Sequence, residues 1–222
     1  MAAAKNGHEP CLRALLEAKA DPTQATSDGA TALIAAAQNG HEPCLRVLLE
    51  AKADPNQADS DGATALIVAA RNGHEPCLRA LLEAKADPNQ ATSNGVTALI
   101  VAAQNGHEPI FLALLEAGAS LKVVSIDNFT MLMAASVGGL TTILERILPE
   151  SDIDAAVVAS HVTEAGYTAL MYAAGEGRLH CVQALLGAGA RKELQTAKGK
   201  TALALARDSG HTVICDLLGG AP

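Results

Sequence analysis

Aromatic side chains are almost missing from this sequence. Two Phe, two Tyr and no Trp make up 2% of 222 residues, although 49% are apolar. Alanine and leucine carry that apolar content. Half-buried strands draw on aromatic and β-branched residues, so the composition disfavours a β-sandwich and favours helices packed closely through small side chains. Positive charge is also short: 16 Lys and Arg stand against 24 Asp and Glu, a formal net charge of −8 and a pI near 5.3. Electrostatic capture of nucleic acid needs clustered Lys and Arg, so neither a nucleic-acid partner nor an anionic membrane surface is expected. No apolar run approaches the ~18–20 residues of a membrane span. The opening "MAAAKNGHEP" lacks the apolar stretch of a signal peptide. Five cysteines is an odd count. Cys11, Cys44 and Cys77 are spaced by a repeat and not as a disulfide framework, and a reducing compartment, cytoplasm or nucleus, is expected.

What the sequence does have is repetition. "NGHEPC" stands at 6–11, 39–44 and 72–77, and "NGHEPI" at 105–110, a period of 33 residues. The reading is a single domain of stacked units: a partial one at 1–25, then 26–58, 59–91, 92–124, a longer one at 125–162, then 163–195 and a shortened 196–222. Each unit parses physically. "SDG" signals a turn in which Gly29 takes φ > 0. Thr31 is placed to cap a short helix, "ALIAAAQ", which "NG" stops with Gly40 in the left-handed region. Glu42 and Pro43 suit the first turn of a second helix, and Cys44, Leu45, Leu48 and Leu49 recur at helical spacing as its buried face. Two helices of this length cannot bury a core alone, but stacked copies can.

The phased pattern "DGATALIxAAxNGHEPCLRxLLEAKADPN" resembles the ankyrin repeat, G-x-T-P-L-H-x-A-A-x-x-G-H…L-L…G-A-D-x-N, across essentially the whole chain. The resemblance implies an all-α solenoid of antiparallel helix pairs with projecting β-hairpin loops, acting as a scaffold for protein partners. It also implies that His41, His74 and His107 bond to backbone of the adjacent unit. The sequence departs from the pattern in three ways. Ala32, Ala65 and Ala98 replace the Pro; Ile34, Ile67, Ile100, Met133 and Met171 replace its His, so apolar packing must substitute there. Lys19, Lys52 and Lys85 stand where the helix-ending Gly returns as Gly118 and Gly189. A left-handed conformation at each lysine would cost about 1 kcal/mol. The unit at 125–162 is about five residues long for the frame, the excess falling in 148–162, and insertions in such arrays map to loops.

His-x-x-Cys could suggest a metal site or a Cys–His nucleophile. Ligands of one Zn²⁺ lie within about 4 Å of each other, whereas neighbouring units stack at ~8–10 Å, so His41 and Cys44 do not reach His74 and Cys77. Ile110, Ile143 and Ile214 occupy the Cys44 position elsewhere, which suits an apolar slot. The expectation is a non-catalytic chain without metal or cofactor. A metal-binding or Cys/His-dependent enzyme, and a passive spacer within a larger protein, are the alternatives.

Partner contacts are expected on loop tips and first helices, the concave face of a solenoid. In early units this face is small and polar: Ser27, Asp28, Ala30, Ser60, Asp61, Ala63, Asn72, with Arg71 at a helix end. The residue before the capping Thr changes along the chain, from Ala30 and Ala63 through Val96 to Phe129, Tyr167 and Lys200. Aromatics dominate interface hot spots. The candidate site is therefore Ile126, Asp127, Phe129, Glu164, Tyr167 and Glu176, with Arg71 and Lys200 at its margins and Tyr172 nearby. The alternative is that Phe129 and Tyr167 pack on neighbouring hairpins or the insertion. A second cluster, Arg191, Lys192, Lys198 and Lys200, either meets an acidic partner or is simply solvated. Phe111 falls at a core position. A monomer is expected. The first residues lack the polar cap that solenoids need, so the chain is read as part of a longer array or as frayed over 1–25, where fast amide exchange is expected.

Overall fold

The computed structural model describes residues 1–150 and 162–219. The chain divides into two compact units, Met1–Ala102 with His107–Leu121, and Ala103–Gly106 with Lys122–Pro222. Among the described residues the regular structure is helical, and the hairpins of the frame are reduced to isolated bridges.

In the first unit the helices are α1 (Ala2–Lys5), α2 (Glu9–Glu17), α3 (Ala32–Gln38), α4 (Glu42–Glu50), α5 (Ala65–Asn72), α6 (Glu75–Glu83), the start of α7 (Ala98–Gln104) and α8 (Glu108–Glu116). Their starts follow from local chemistry. The Thr31 hydroxyl accepts the Ile34 N–H at 3.2 Å, and Thr64 does the same for Ile67 at 3.3 Å. The second helix of each pair opens on Glu-Pro, which places an acid at the positive end and a residue without N–H where none is needed. Gly40 adopts φ 72° between the two helices, as the "NG" signal requires.

Packing supplies what such short helices lack. α3 packs on α1, α4 and α5, and all six apolar residues from Ala32 to Ala37 are buried. Ile34, Ile67 and Ile100 are buried at the family's His position, so apolar contact does substitute there. Second helices form their own row, α2–α4–α6–α8. On α4 the buried arc is Cys44, Leu45, Val47 and Leu48, while Leu49 is only half-buried. The sequence reading placed Leu49 on the buried face by helical spacing; at 100° per residue the buried arc runs from Val47 through Cys44 and Leu48 to Leu45, and Leu49 falls about 40° beyond its Leu45 edge. Lys19, Lys52 and Lys85 hold φ of 65–68°, so the strain anticipated at the helix ends is present.

Each hairpin is a single antiparallel bridge, Ala25 with Thr31, Ala58 with Thr64 and Ala91 with Thr97. Adjacent tips are tied by one backbone bond, from the Ser60 N–H to the Asp28 carbonyl and from the Ser93 N–H to the Asp61 carbonyl, both 2.9 Å. That fixes the spacing of the exposed loop residues.

The second unit repeats the plan with α9 (Met131–Gly138), α10 (Thr141–Glu150), α11 (Ala169–Gly175), α12 (Leu179–Gly187), α13 (Ala202–Asp208) and α14 (Thr212–Leu217). First helices α9, α11 and α13 pack in one row, and second helices α10, α12 and α14 in another. Tips are again linked, from the Glu164 N–H to Asp127 and from the Ala197 N–H to Ala165. Residues 151–161, most of the segment read as an insertion, lie outside the described residues.

Candidate functional site

The recurring His and Cys are parts of the stacking. His41 Nε2 donates to the Lys5 carbonyl at 3.0 Å, His74 to Gln38 at 3.1 Å, His107 to Arg71 at 3.3 Å and His211 to Gly175 at 3.1 Å. Each ring lies over the left-handed glycine of the preceding pair, so His41 covers Gly7 and His74 covers Gly40. Where the motif has Arg178 the role persists: its Nε donates to the Val137 carbonyl at 3.0 Å. Leu140 has no such donor. Cys44 and Cys77 are 1% and 0% exposed, in the slot that Ile110, Ile143 and Ile214 fill elsewhere. Burial pushes the Cys77 thiol up to about 11 and raises Cys44 and Cys181 as well. A thiol held protonated is a poor nucleophile and a poor ligand. Among the described residues no group of three His, Cys, Asp or Glu side chains is placed to hold a metal ion.

A labelling experiment separates the two classes of cysteine. At neutral pH a disulfide reagent such as DTNB is expected to modify exposed Cys11 and part-exposed Cys215 first. Cys44, Cys77 and Cys181 should follow only under denaturant; prompt labelling of Cys44 in the native protein would overturn their assignment to the core.

The residues chosen from the sequence divide between the units. Arg71 lies in the first; the others lie in the second. There, Ile126 is 63% exposed, and Asp127 and Glu164 in the hairpins and Glu176 just after α11 are exposed as well. Phe129 and Tyr167 are half-buried, because Tyr172 of α11 stands between them. The Phe129 ring meets Tyr172 edge-on with centroids 5.4 Å apart, and Tyr167 stacks on it at 5.3 Å. Burial raises the Tyr172 phenol, helped by Tyr167 and the Asp127 carboxylate and opposed by a hydrogen bond with Thr163. Lys200 is exposed and pairs with Asp208 at 2.6 Å, which raises its ammonium above the usual range. In the basic cluster Arg191 pairs with Glu193 at 2.8 Å and the Lys192 ammonium donates to the Leu218 carbonyl at 3.5 Å. That loop therefore holds partnered cations in addition to exposed Lys198.

Sequence reasoning gave little weight to Tyr172 and passed over a groove in the first unit. Positions equivalent to Phe129, Tyr167 and Tyr172 are Ala30, Ala63 and Val68 there, and these small residues line an open groove of about 580 Å³. The signal was available in the frame: the same three positions are filled by rings in one unit and left short in the other. The small side chains of the early units leave a concavity there.

The comparisons agree with this architecture. The family model of ankyrin repeats, in three copies, matches residues 1–92, 52–125, 84–159 and 130–221. No curated protein matches the chain. Among solved structures, the human ASB11 ankyrin repeat domain is similar at 25% identity and a TM-score of 0.78, over 99% of this chain and 97% of that one. No helix among the described residues is long and apolar enough to cross a membrane. Ankyrin repeats generally serve as protein–protein interaction scaffolds and are typically not enzymes. By its repeats, its helix pairs and its loop geometry, this chain belongs to the ankyrin-repeat family.

Proposed function

We propose that this protein is a non-catalytic scaffold that holds a protein partner on its hairpin tips and first helices, with Ile126, Asp127, Phe129, Glu164, Tyr167 and Glu176 of the second unit as principal contacts. One observation carries the reading. The tip position that is Ser27, Ser60 and Ser93 in the first unit is Ile126 in the second, and it is 63% exposed. Val124 and Val162, at the bases of successive hairpins, are exposed as well. Aliphatic side chains left in water on the same hairpins as Phe129 and Tyr167 suit a surface that a partner covers. Tyr172 gives this aromatic ledge rigidity by locking Phe129 and Tyr167, which lowers the ordering cost on binding.

The test is affinity capture from a source lysate with three forms of the chain. The wild type and Arg46→Ala, changed on a second helix, are expected to retain the same protein. Ile126→Asp with Glu164→Lys should lose it, while the circular dichroism spectrum stays unchanged. Equal retention by the tip variant would sink the proposal.

A further inference from the structure

The first-unit groove has an apolar lining and an acidic rim, and together these define an occupant. The apolar lining is Ile34, Ala63 and Val68, which are buried, with half-buried Ala30 and Val96. Asp28, Asp59 and Asp61 stand on the rim with a single guanidinium, Arg71. Asp59 is pinned, accepting the N–H groups of Asp61 at 3.0 Å and Ala63 at 2.8 Å. Asp28 accepts the Thr26 hydroxyl and is held below the usual carboxylate range. Asp61 is exposed on the next tip, and the Asp28–Ser60 backbone link keeps the two tips side by side. The unit's other arginines are committed elsewhere: Arg13, Arg46 and Arg79 pair with Glu9, Glu42 and Glu75 on the second helices. Three carboxylates against one guanidinium leave the rim negative.

We propose that this groove binds a basic segment of a protein partner, with an Arg or Lys side chain laying its methylene stem over Ala30, Ala63 and Val68 and presenting its charge to Asp28 and Asp61. Long cationic side chains bury an apolar stem while keeping the head in a polar setting, and the groove's volume lies in the range of ordinary ligand clefts. The proposal rests on the reading that hairpins and first helices form the protein-binding face. It adds a second subsite, chemically unlike the aromatic ledge.

The probe is a capped pentapeptide, acetyl-Leu-Arg-Leu-Arg-Leu-amide, with a version carrying Glu for Arg as control. Binding is followed by amide chemical shifts on the full chain at low salt. Saturable shifts at Ala63, Val68 and Asn72 are expected with the Arg peptide and none with the Glu peptide. Asp28→Asn with Asp61→Asn, both at exposed positions, should weaken binding about tenfold. Ala30→Phe, Ala63→Tyr and Val68→Tyr together copy the second unit's own filling; they should abolish binding and keep the helical spectrum. Phe129→Ala with Tyr167→Ala should leave peptide binding unchanged, so failure of the second-unit site is told apart from failure of the groove. No binding, binding of both peptides alike, or full affinity in the Asp28→Asn/Asp61→Asn variant would each overturn the proposal.

Discussion

Phe111→Ala is expected to lower the free energy of unfolding by about 3–5 kcal/mol. Phe111 is the largest fully buried side chain among the described residues, at 0% exposure on α8. It fills the position that Leu12, Leu45 and Leu78 hold in the earlier pairs, so its ring occupies a slot that a smaller aliphatic group fills elsewhere. Truncation removes the ring's transfer free energy and leaves a cavity that closely packed alanine-rich helices cannot collapse into. Phe111→Leu restores the side chain its neighbours carry and is expected to cost about 1 kcal/mol. Urea titration followed by far-UV circular dichroism measures both, and the midpoint is compared at fixed slope because repeat arrays can lose two-state behaviour. A Phe111→Ala loss below about 1 kcal/mol would place the ring outside the core.

The second large effect is expected at Gly138. A Cβ there would lie 1.9 Å from the Ala103 carbonyl oxygen and 2.9 Å from the Gly106 nitrogen, all within the second unit. Elsewhere a side chain separates successive loops: His74 lies over Gly40, Arg178 over Gly139 and His211 over Gly177. Leu140 replaces that spacer, and the backbones of Gly106 and Gly138 come into direct contact. The obstacle is main chain, which cannot rotate aside as a side chain can. Gly138→Ala is therefore expected to cost about 3 kcal/mol, the upper end of overpacking. Gly187 is the control. It ends α12 with nothing within 4 Å of a new Cβ, so Gly187→Ala should be neutral or stabilising by about 0.5–1 kcal/mol. Similar melting temperatures for the Gly138→Ala variant and the parent chain would contradict the close approach.

Most of the fold was legible in the residues because each helix pair carries its own instructions. Thr31 caps, Gly40 turns left-handed, Glu42 and Pro43 open the second helix, and the apolar stripe around Leu45 fixes which face is buried. The histidine's bond to the adjacent unit came only through the family resemblance, since nothing in one unit tells its ring where the next carbonyl lies. Arg178 in the same role shows why: the requirement is a donor of the right reach, and side-chain type alone does not reveal it.

The sequence by itself determined the period, the helices, the buried Cys slot and the divergence at Ala30, Ala63, Phe129 and Tyr167. Tertiary structure decided what that divergence does. Phe129 and Tyr167 are distant in sequence from each other, and only the stacking of α11 against α9 brings Tyr172 between them as a half-buried ledge. The same geometry, with alanine and valine at those positions, leaves a groove rimmed by Asp28 and Asp61. Local propensity acts over one helix pair; cavity and ledge arise from side-chain volume summed across neighbouring pairs, and that sum exists only once they stack.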